Sequence, residues 1–286
     1  MLDLFAQLGV TAALHVAEGV ALPLADALLP GARVVRALPA QDTPLYALDC
    51  GSRARIALPL DGWSGAIVNI DHHRDNTCFG ELNLVRPAGS STCELVCDIA
   101  RALPLVPGPQ AAAALYAGIS FDTGHFRHPS TSAGTFACAA WLRGLGVDVT
   151  AVYELLYQQR SLAALQLWAR AVEGARRLCG GRIVLAAVTA GDFAATGAGQ
   201  EDTEGIVETL RAVAGVEVVA LVKEQNDGAR VRVSLRSDNL DVGGIAALRG
   251  GGGHRLAAGF SSDDSPEEVT AWLSSELARR LPTESC

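Results

Sequence analysis

The residues best suited to chemistry lie in the segment VNIDHHRDN, where Asp71, His72 and His73 follow a short apolar run. The chain has only six histidines, and two of them stand side by side directly after an aspartate. Carboxylates combined with an imidazole are typical ligands of Mn²⁺ or Mg²⁺, and also of Zn²⁺ or Fe²⁺. The segment therefore predicts either a metal site or a polar turn whose aspartate caps the next element.

Two further aspartates follow apolar runs in the same half of the chain. Asp49 comes after PLYAL, and Asp122 lies in GISFDTGHF. Parallel-sheet proteins place their sites at the carboxyl ends of strands, so we interpret both positions, together with the DHH segment, as strand ends that converge. Each aspartate alone is equally compatible with a turn. Two metal ions bound there would activate a water and stabilise charge on a phosphoryl group, and the absence of a CxxC pair makes a structural zinc site the weaker alternative.

A second candidate cluster lies near the end of the chain, in RVSLRSDNLDVGGIAALRGGGGHRLAAGF. Four consecutive glycines, Gly250–Gly253, precede His254 and leave the backbone free to approach a ligand closely. Successive backbone N–H groups in such a segment can surround an anion. Arg236, at the end of a predicted strand, can bind a phosphate through two parallel hydrogen bonds. The alternative is a flexible loop between a helix and a strand.

The apolar pattern of the first half predicts short buried strands that alternate with helices. Ser91 is a suitable helix N-cap, and Glu94 stands at the spacing of a capping box. Strands separated by helices form a parallel sheet covered by helices. The predicted strands are 32–38, 44–50 and 65–73, and the predicted helices are 90–103, 109–124 and 131–146.

The second half changes its pattern after a helical stretch. Apolar runs within 181–193, 215–237 and 254–260 indicate strands, with NDG at 226–228 as a hairpin turn. Segments near 201–214 and 242–250 read as helices between them. The predicted fold class is therefore α/β: a parallel-sheet domain over 1–150, a helical linker over 151–175 and a smaller mixed α+β domain over 176–286.

The composition of the chain limits the classes of protein to which it can belong. A chain of 286 residues with 49% apolar and 19% charged residues is long enough for two globular domains. A net charge of −8 argues against a broad surface for duplex DNA or anionic membrane, although a metal or a local arginine can still attract a small anion. The start, MLDLFAQLGV, lacks a basic region, and no run approaches the roughly 18 apolar residues of a membrane span. We expect a cytoplasmic protein that does not act at a membrane.

Taken together, these stretches resemble the DHH phosphoesterase family, in the branch with the DHH-associated C-terminal domain. The compact two-domain build is most similar to the nano-RNase and pAp phosphatase group (NrnA-like), and RecJ exonucleases are longer relatives. The resemblance covers nearly the whole chain. The segments that carry it are LDCGSRARI, VNIDHHRDN with FGELNLVRPAGSSTCELV, LYAGISFDTGHFRHPSTSAGTFACAAWL, GIVETLRAVAGVEVVAL and VRVSLRSDNLDVGGIAALRGGGGHRLAAGF.

The resemblance implies roles for the first set of residues. Asp49, His72 and Asp122 would be ligands of Mn²⁺, with Mg²⁺ as an alternative, in a site that holds two ions in the family. Asp71 would orient the ring of His72 through its N–H. His73 would contact the scissile phosphate, so that His73 and Asp71 are the predicted catalytic residues.

For the second set, the resemblance implies substrate binding. Arg236, Gly251, Gly252, Gly253 and His254 would hold the other phosphate or the base of a small nucleotide, over which the two domains close. The expected activity is Mn²⁺-dependent hydrolysis of short oligoribonucleotides, linear dinucleotides such as pApA and pGpG, or pAp. The expected partners are short RNA or DNA oligonucleotides or a nucleotide, and a homodimer is possible.

The chain departs from the family at its start. The family opens with a strand that ends in His-x-x-Pro-Asp-x-Asp and supplies further metal ligands, and that motif does not occur in these 286 residues. MLDLFAQLGVTAALHV instead resembles the helix and second strand that normally follow, so the domain is expected to lack its first strand. The alternative function is accordingly a nucleotide-binding protein without activity. A family II pyrophosphatase, which shares the DHH domain, is a third and weaker hypothesis. The glycine–histidine motif argues against it, because that family ends in a different basic signature.

Overall fold

The protein folds into two compact units, Met1–Gln159 and Arg160–Cys286. The structure is a computed structural model that describes residues 1–16, 24–28, 31–56, 58–225 and 230–281. The first unit contains parallel strands and the second a mixed sheet, which confirms the predicted α/β class with two different sheets. The finer division into a domain, a helical linker and a second domain stays a prediction.

The first unit places helices around a three-stranded parallel sheet. Strand β4 lies at its centre, between β3 and β5, and β1 and β2 form a separate two-stranded parallel sheet. The elements in chain order are α1 (Leu2–Gln7), β1 (Leu14–His15), α2 (Ala25–Leu28), β2 (Val34–Val35), β3 (Leu45–Leu48), β4 (Ile67–Asp71), β5 (Leu82–Val85), α3 (Thr92–Ala102), α4 (Pro109–Asp122), α5 (Ala133–Gly144) and α6 (Val149–Tyr157).

Close helix packing fixes the end of α4, where Asp122 lies. Cys97, Ile119 and Leu142 contribute fully buried side chains from α3, α4 and α5 to one apolar core. An added Cβ at Gly118 would come within 2.3 Å of Cys93 Sγ, so the contact between α3 and α4 requires a glycine there. The core therefore holds the last turn of α4 in one place against α3.

The second unit is built on a six-stranded sheet in the order β10-β11-β9-β8-β7-β6. Strands β7 and β8 are parallel and the other pairs are antiparallel. The predicted NDG turn at 226–228 lies outside the described residues. The elements are α7 (Leu162–Glu173), β6 (Arg176–Leu178), β7 (Ile183–Val188), α8 (Ala190–Thr196), α9 (Ile206–Arg211), β8 (Val218–Glu224), β9 (Val231–Ser237), α10 (Val242–Ala247), β10 (Gly252–His254), β11 (Ala257–Ser262) and α11 (Pro266–Arg280).

Helices cover the two faces of this sheet unequally. On one face, α10 and α11 pack across β7, β8, β9 and β11 through a core that includes Leu235, Ile245 and Leu273. On the other face, α7 and α9 pack on β7 and β8 through residues such as Leu167 and Leu221. The side chains that β9, β11 and β10 present on this second face are exposed or half-exposed. We call this region the open face; it consists of Arg232, Ser234, Arg236, Ala257, Gly259, Ser261, Gly252 and His254.

One expectation about the elements was wrong, and one strand was not predicted. Asp122 ends the helix α4 and not a strand, because the alanine-rich helix continues through the apolar residues Ile119 and Phe121. Strand β5 was not predicted, since its four residues Leu82–Val85 are mostly exposed and show no buried apolar run. The three strands that were predicted in the first half are present but shorter, as β2, β3 and β4.

The helices are of ordinary globular length, and α11 with 15 residues is the longest that the structure describes. Among the described residues, no single helix combines the length and apolar character needed to cross a membrane. The pair α5 and α6 meets that test on length and composition when taken together, with a bend of 114° at the break. Buried residues of both helices, such as Leu142 and Val152, belong to the core of the first unit.

Candidate functional site

Asp49, His72 and Asp122 meet at one point of the first unit. Asp49 follows β3, His72 follows β4 and Asp122 ends α4. The Nε2 atom of His72 lies 3.4 Å from Asp49 Oδ1 and 3.8 Å from Asp122 Oδ2. Three separate elements thus bring two carboxylates to the same ring nitrogen.

His73 extends the same group. Its Nδ1 atom lies 3.9 Å from Asp49 Oδ1. One donor atom each from Asp49, His72 and His73 lie within 4.8 Å of one another, a spacing at which a single cation can contact all three. The arrangement offers oxygen and imidazole donors, the ligand set of Mn²⁺ and Mg²⁺, and the carboxylates supply the charge that a divalent ion neutralises.

The backbone presents Asp49 in an unusual conformation. Its φ of 58° lies in the left-handed region, which aspartate tolerates better than bulky residues do. Its backbone N–H donates to the Ile70 carbonyl at 3.0 Å, and its Oδ1 accepts a hydrogen bond from Thr92 Oγ1 at 2.9 Å. The neighbouring strand therefore holds the backbone of Asp49, and the first turn of α3 holds its carboxylate. Strained conformations of this kind concentrate at functional sites.

The ring of His72 is oriented by a carbonyl group. Its Nδ1 atom lies 3.3 Å from the carbonyl oxygen of Gly89. When Nδ1 carries the proton and donates to that oxygen, the lone pair of Nε2 faces Asp49 and Asp122, where a cation would bind. The expectation that Asp71 orients the ring of His72 is therefore corrected, because the ring partner of Asp71 is His73.

Asp71 is fully buried and organises the next residues. Its Oδ1 accepts the backbone N–H of His72 at 2.8 Å and lies 2.7 Å from His73 Nδ1, while Asn76 Nδ2 donates to its Oδ2. Burial favours the neutral acid, but the hydrogen bonds from His73, Asn76 and His72 outweigh it and hold the pKa of Asp71 below its usual value. The same bond raises the pKa of His73, so the imidazolium form is favoured.

Two asparagines join the strand ends beneath the site, and the sequence analysis did not identify them. Asn69, fully buried in β4, donates through Nδ2 to the carbonyls of Ala47 at 3.2 Å and Cys50 at 3.0 Å. Asn76 Nδ2 lies 2.8 Å from Asn69 Oδ1. A polar residue inside the apolar run IVNI was the available signal, because a buried amide needs hydrogen-bond partners.

Repulsion between carboxylates makes the site favourable for a cation. Burial, and then the charge of Asp49, raise the pKa of Asp122. A bound cation relieves this repulsion, so the donor set fits a divalent metal ion. Cys93 lies beside these residues, but burial and the charge of Asp122 raise the pKa of its thiol to about 12. The raised pKa favours the protonated thiol, which is a weaker metal ligand than a thiolate.

The second unit brings Arg236 and His254 into one row of the open face. Arg236 on β9 pairs with Ala257 on β11, which in turn pairs with His254 on β10. Residues in such a row point to the same side of the sheet. Arg236 Nη1 donates to the Leu235 carbonyl at 3.0 Å, and Arg236 Nε lies 3.9 Å from a carboxylate oxygen of Glu208. The predicted substrate-binding residues of this unit thus lie together.

The glycines before His254 have different structural roles. A Cβ added at Gly251 would lie 2.3 Å from the Gly259 carbonyl oxygen, and one at Gly253, whose φ is 143°, would lie 2.6 Å from the Ala257 carbonyl oxygen. A Cβ at Gly252 would meet nothing within 4 Å. Close packing of β10 on β11 therefore requires glycine at two positions, while Gly252 offers an open backbone that a ligand can approach.

Known proteins match this chain over both units. A DHHA1 domain model matches residues 168–279. The bifunctional oligoribonuclease and PAP phosphatase NrnA of Thermus thermophilus is 31% identical over 242 residues, which cover 82% of this chain and 71% of that protein. The chain belongs to the DHH phosphoesterase family. Within the family it is similar to NrnA proteins, and the family is one of phosphoester hydrolases.

A second relative supports membership of the DHH family, and a solved structure supports the fold. The probable bifunctional oligoribonuclease and PAP phosphatase NrnA of Streptococcus mutans is 34% identical over 197 residues, 68% of this chain and 62% of that protein. The chain thus spans somewhat less than two thirds of that relative's length. The structure of an exopolyphosphatase-related protein from Bacteroides fragilis aligns with a TM-score of 0.85 at 20% identity, over 97% of this chain and 85% of that one, and supports the fold.

The glycine segment of this DHH protein leads to a first prediction. We expect Gly251→Ala to lower the free energy of unfolding of the second unit by about 2 kcal/mol or more, because its Cβ meets backbone atoms. Gly252→Ala should change that free energy by less than about 0.5 kcal/mol and should still raise the KM for pAp. Urea unfolding and steady-state kinetics of both variants measure this. Equal stability of the two variants would contradict it.

Proposed function

We propose that this protein is a Mn²⁺-dependent phosphoesterase that hydrolyses short oligoribonucleotides, linear dinucleotides or pAp. The observation that carries the proposal is the meeting of Asp49, His72 and Asp122 around one ring nitrogen, with Asp71 and His73 beside them. The names of the NrnA relatives, which act on oligoribonucleotides and PAP, support the substrate class.

The first unit supplies the groups that act at the scissile phosphate. Asp49, His72 and Asp122 would hold the metal, which when bound supplies Lewis-acid stabilisation of charge on the phosphoryl group. Asp71 engages Nδ1 of His73, so Nε2 is the ring atom left to donate to a phosphate oxygen. The hydrogen bond to Asp71 raises the pKa of His73, which favours the form with a proton on both ring nitrogens. His73 thereby contacts the substrate, and Asp71 positions His73.

The second unit supplies the groups that hold another part of the substrate. Arg236 and His254 share one row of the open face, and both are hydrogen-bond donors suited to a phosphate. Gly252 leaves its backbone accessible in the neighbouring row. A small nucleotide that is bound through a phosphate away from the bond to be cleaved has a fixed position before the reaction. Less entropy is then lost on reaching the transition state.

A metal-exchange assay tests the proposal. The protein is stripped with EDTA and supplied with Mn²⁺, Mg²⁺ or Zn²⁺, and the products formed from pAp and from a short oligoribonucleotide are separated by chromatography. We expect Mn²⁺ to restore the highest turnover and Mg²⁺ a lower one. Turnover that persists unchanged in EDTA would contradict a metal-dependent reaction, since the site residues then could not act through a cation.

Nucleotide binding without turnover is the second candidate. The observation that favours it is the size of the donor set. In the part of the chain that the structure describes, Asp49 and Asp122 face the single ring nitrogen Nε2 of His72, and such a set suits one ion more readily than two. Calorimetry with pAp separates the two functions. Tight binding together with no product in Mn²⁺ supports the binding protein, and product formation supports the enzyme.

A further inference from the structure

Two cations stand directly opposite each other in the second sheet. Lys223 on β8 pairs with Arg232 on β9 in the antiparallel register. Like charges at directly opposed positions destabilise a strand pair. Lys223 Nζ donates to the Gln200 carbonyl at 3.3 Å and to Thr203 Oγ1 at 3.1 Å, which are neutral acceptors. Burial, and then the charge of Arg232, lower the pKa of Lys223, so the fold leaves this repulsion in place.

The surroundings do not neutralise the pair. Arg232 is exposed, and no carboxylate of the described residues lies within ion-pair distance of it. Asp263, which follows β11, is engaged by Arg230 at 3.0 Å. Glu201 acts on Lys223 only at a distance, as the weaker opposing effect on its pKa. The pair is therefore a local positive site in a chain of net charge −8, which an anion would stabilise.

The pair lies on the same face as the predicted phosphate-binding residues. Arg232, Ser234 and Arg236 alternate with buried residues along β9, so all three side chains point to the open face. Arg232 and Arg236 are four residues apart, which is about 13 Å along a strand. On β9, β11 and β10 the row between them consists of Ser234, Gly259 and Gly252, while Leu221 on β8 is buried. These small residues leave room on the surface for a ligand that extends from Arg232 to Arg236.

We propose that Lys223 and Arg232 form a second phosphate subsite, which binds a phosphodiester of a single-stranded oligonucleotide whose other phosphate lies at Arg236 and His254. This inference rests on the proposed function. A single internucleotide linkage does not span the distance between the two positions, so the subsites match phosphates at least two linkages apart. The subsite therefore selects oligonucleotides over pAp, because pAp has no phosphate that reaches it.

Equilibrium binding of ligands of different length tests the subsite. The full chain is titrated in EDTA, so that no metal-dependent cleavage occurs, with pAp and with a single-stranded RNA tetranucleotide. The test variant is Arg232→Gln. The matched control is Arg279→Gln, which removes the same charge from α11 on the other side of the sheet, where Arg279 is paired with Glu276. We expect Arg232→Gln to weaken tetranucleotide binding about fivefold and pAp binding by less than about twofold.

The salt dependence gives a second readout. Loss of one phosphate contact reduces the slope of log affinity against log salt by about 0.7 for a single strand, and we expect that change for the tetranucleotide with Arg232→Gln and not with Arg279→Gln. Equal effects of the two variants, or equal weakening of pAp and tetranucleotide, would overturn the subsite. Unmodified protein that binds pAp while showing no length preference also overturns the subsite alone. Failure to bind either ligand overturns the subsite, and if turnover in Mn²⁺ is absent too, it overturns the proposed function as well.

Discussion

Asp122→Asn is expected to reduce the kcat for pAp hydrolysis about a thousandfold and, in the absence of metal, to raise the melting temperature. The first effect follows from the loss of one of the two carboxylates that face His72 Nε2. A divalent ion bound there would lose a charged ligand, and the charge that develops on the phosphoryl group would lose its stabilisation.

The melting temperature of the metal-free variant should rise, because the carboxylate of Asp122 destabilises the metal-free fold. Burial and the charge of Asp49 raise the pKa of Asp122 above its ordinary value of 3.8. A carboxyl group with a raised folded-state pKa is more favourable when protonated, so its ionisation costs stability as pH rises above that value. Asparagine keeps the shape without the charge. We expect the metal-free melting temperature to rise by about 2 °C.

Steady-state kinetics measures the loss of kcat, and differential scanning fluorimetry with and without Mn²⁺ measures the change in melting temperature. Mn²⁺ should raise the melting temperature of the unaltered protein by mass action and leave that of Asp122→Asn unchanged. Asp61→Asn, which removes the same charge from an exposed turn, is the control and should keep both turnover and the metal response. If Asp122→Asn retained the Mn²⁺ response, Asp122 would not be a ligand.

Asp71→Asn is expected to lower the free energy of unfolding by about 2–3 kcal/mol and the kcat about a hundredfold. Asp71 is fully buried, and both of its oxygens accept hydrogen bonds from donors of His72, His73 and Asn76. An asparagine has the same shape but replaces one acceptor with an NH₂ group, which then faces a donor. The pKa of His73 should fall, because its hydrogen bond to Asp71 is the largest cause of the rise.

Urea unfolding, kinetics and an NMR titration of the His73 ring test this second prediction. The control is Asp192→Asn in the second unit, where Asp192 accepts hydrogen bonds from Thr189 in a capping box. That variant should lose stability by about 1 kcal/mol and keep both its kcat and the titration of His73. An unchanged His73 pKa in Asp71→Asn would show that the bond between them does not set the protonation of His73.

The sequence predicted the residue types of the site better than their connections. Asp49, the DHH segment and Asp122 were identified because carboxylates and histidines that follow apolar runs can be recognised in the sequence. Thr92, which binds Asp49, could not be identified in this way, since it lies 43 residues further along the chain and its only local signal is that of a helix start. Long-range hydrogen bonds leave no local pattern.

The order of apolar runs, glycines and carboxylates in the sequence alone determined the α/β class and predicted that Asp49, His72 and Asp122 lie close together. Tertiary structure decided their geometry. Asp71 binds the ring of His73 and not that of His72, because successive side chains of an extended segment point to opposite sides. The register of three strands placed Lys223 opposite Arg232, and Arg236 in one row with His254, which depends on contacts between segments that are distant in sequence.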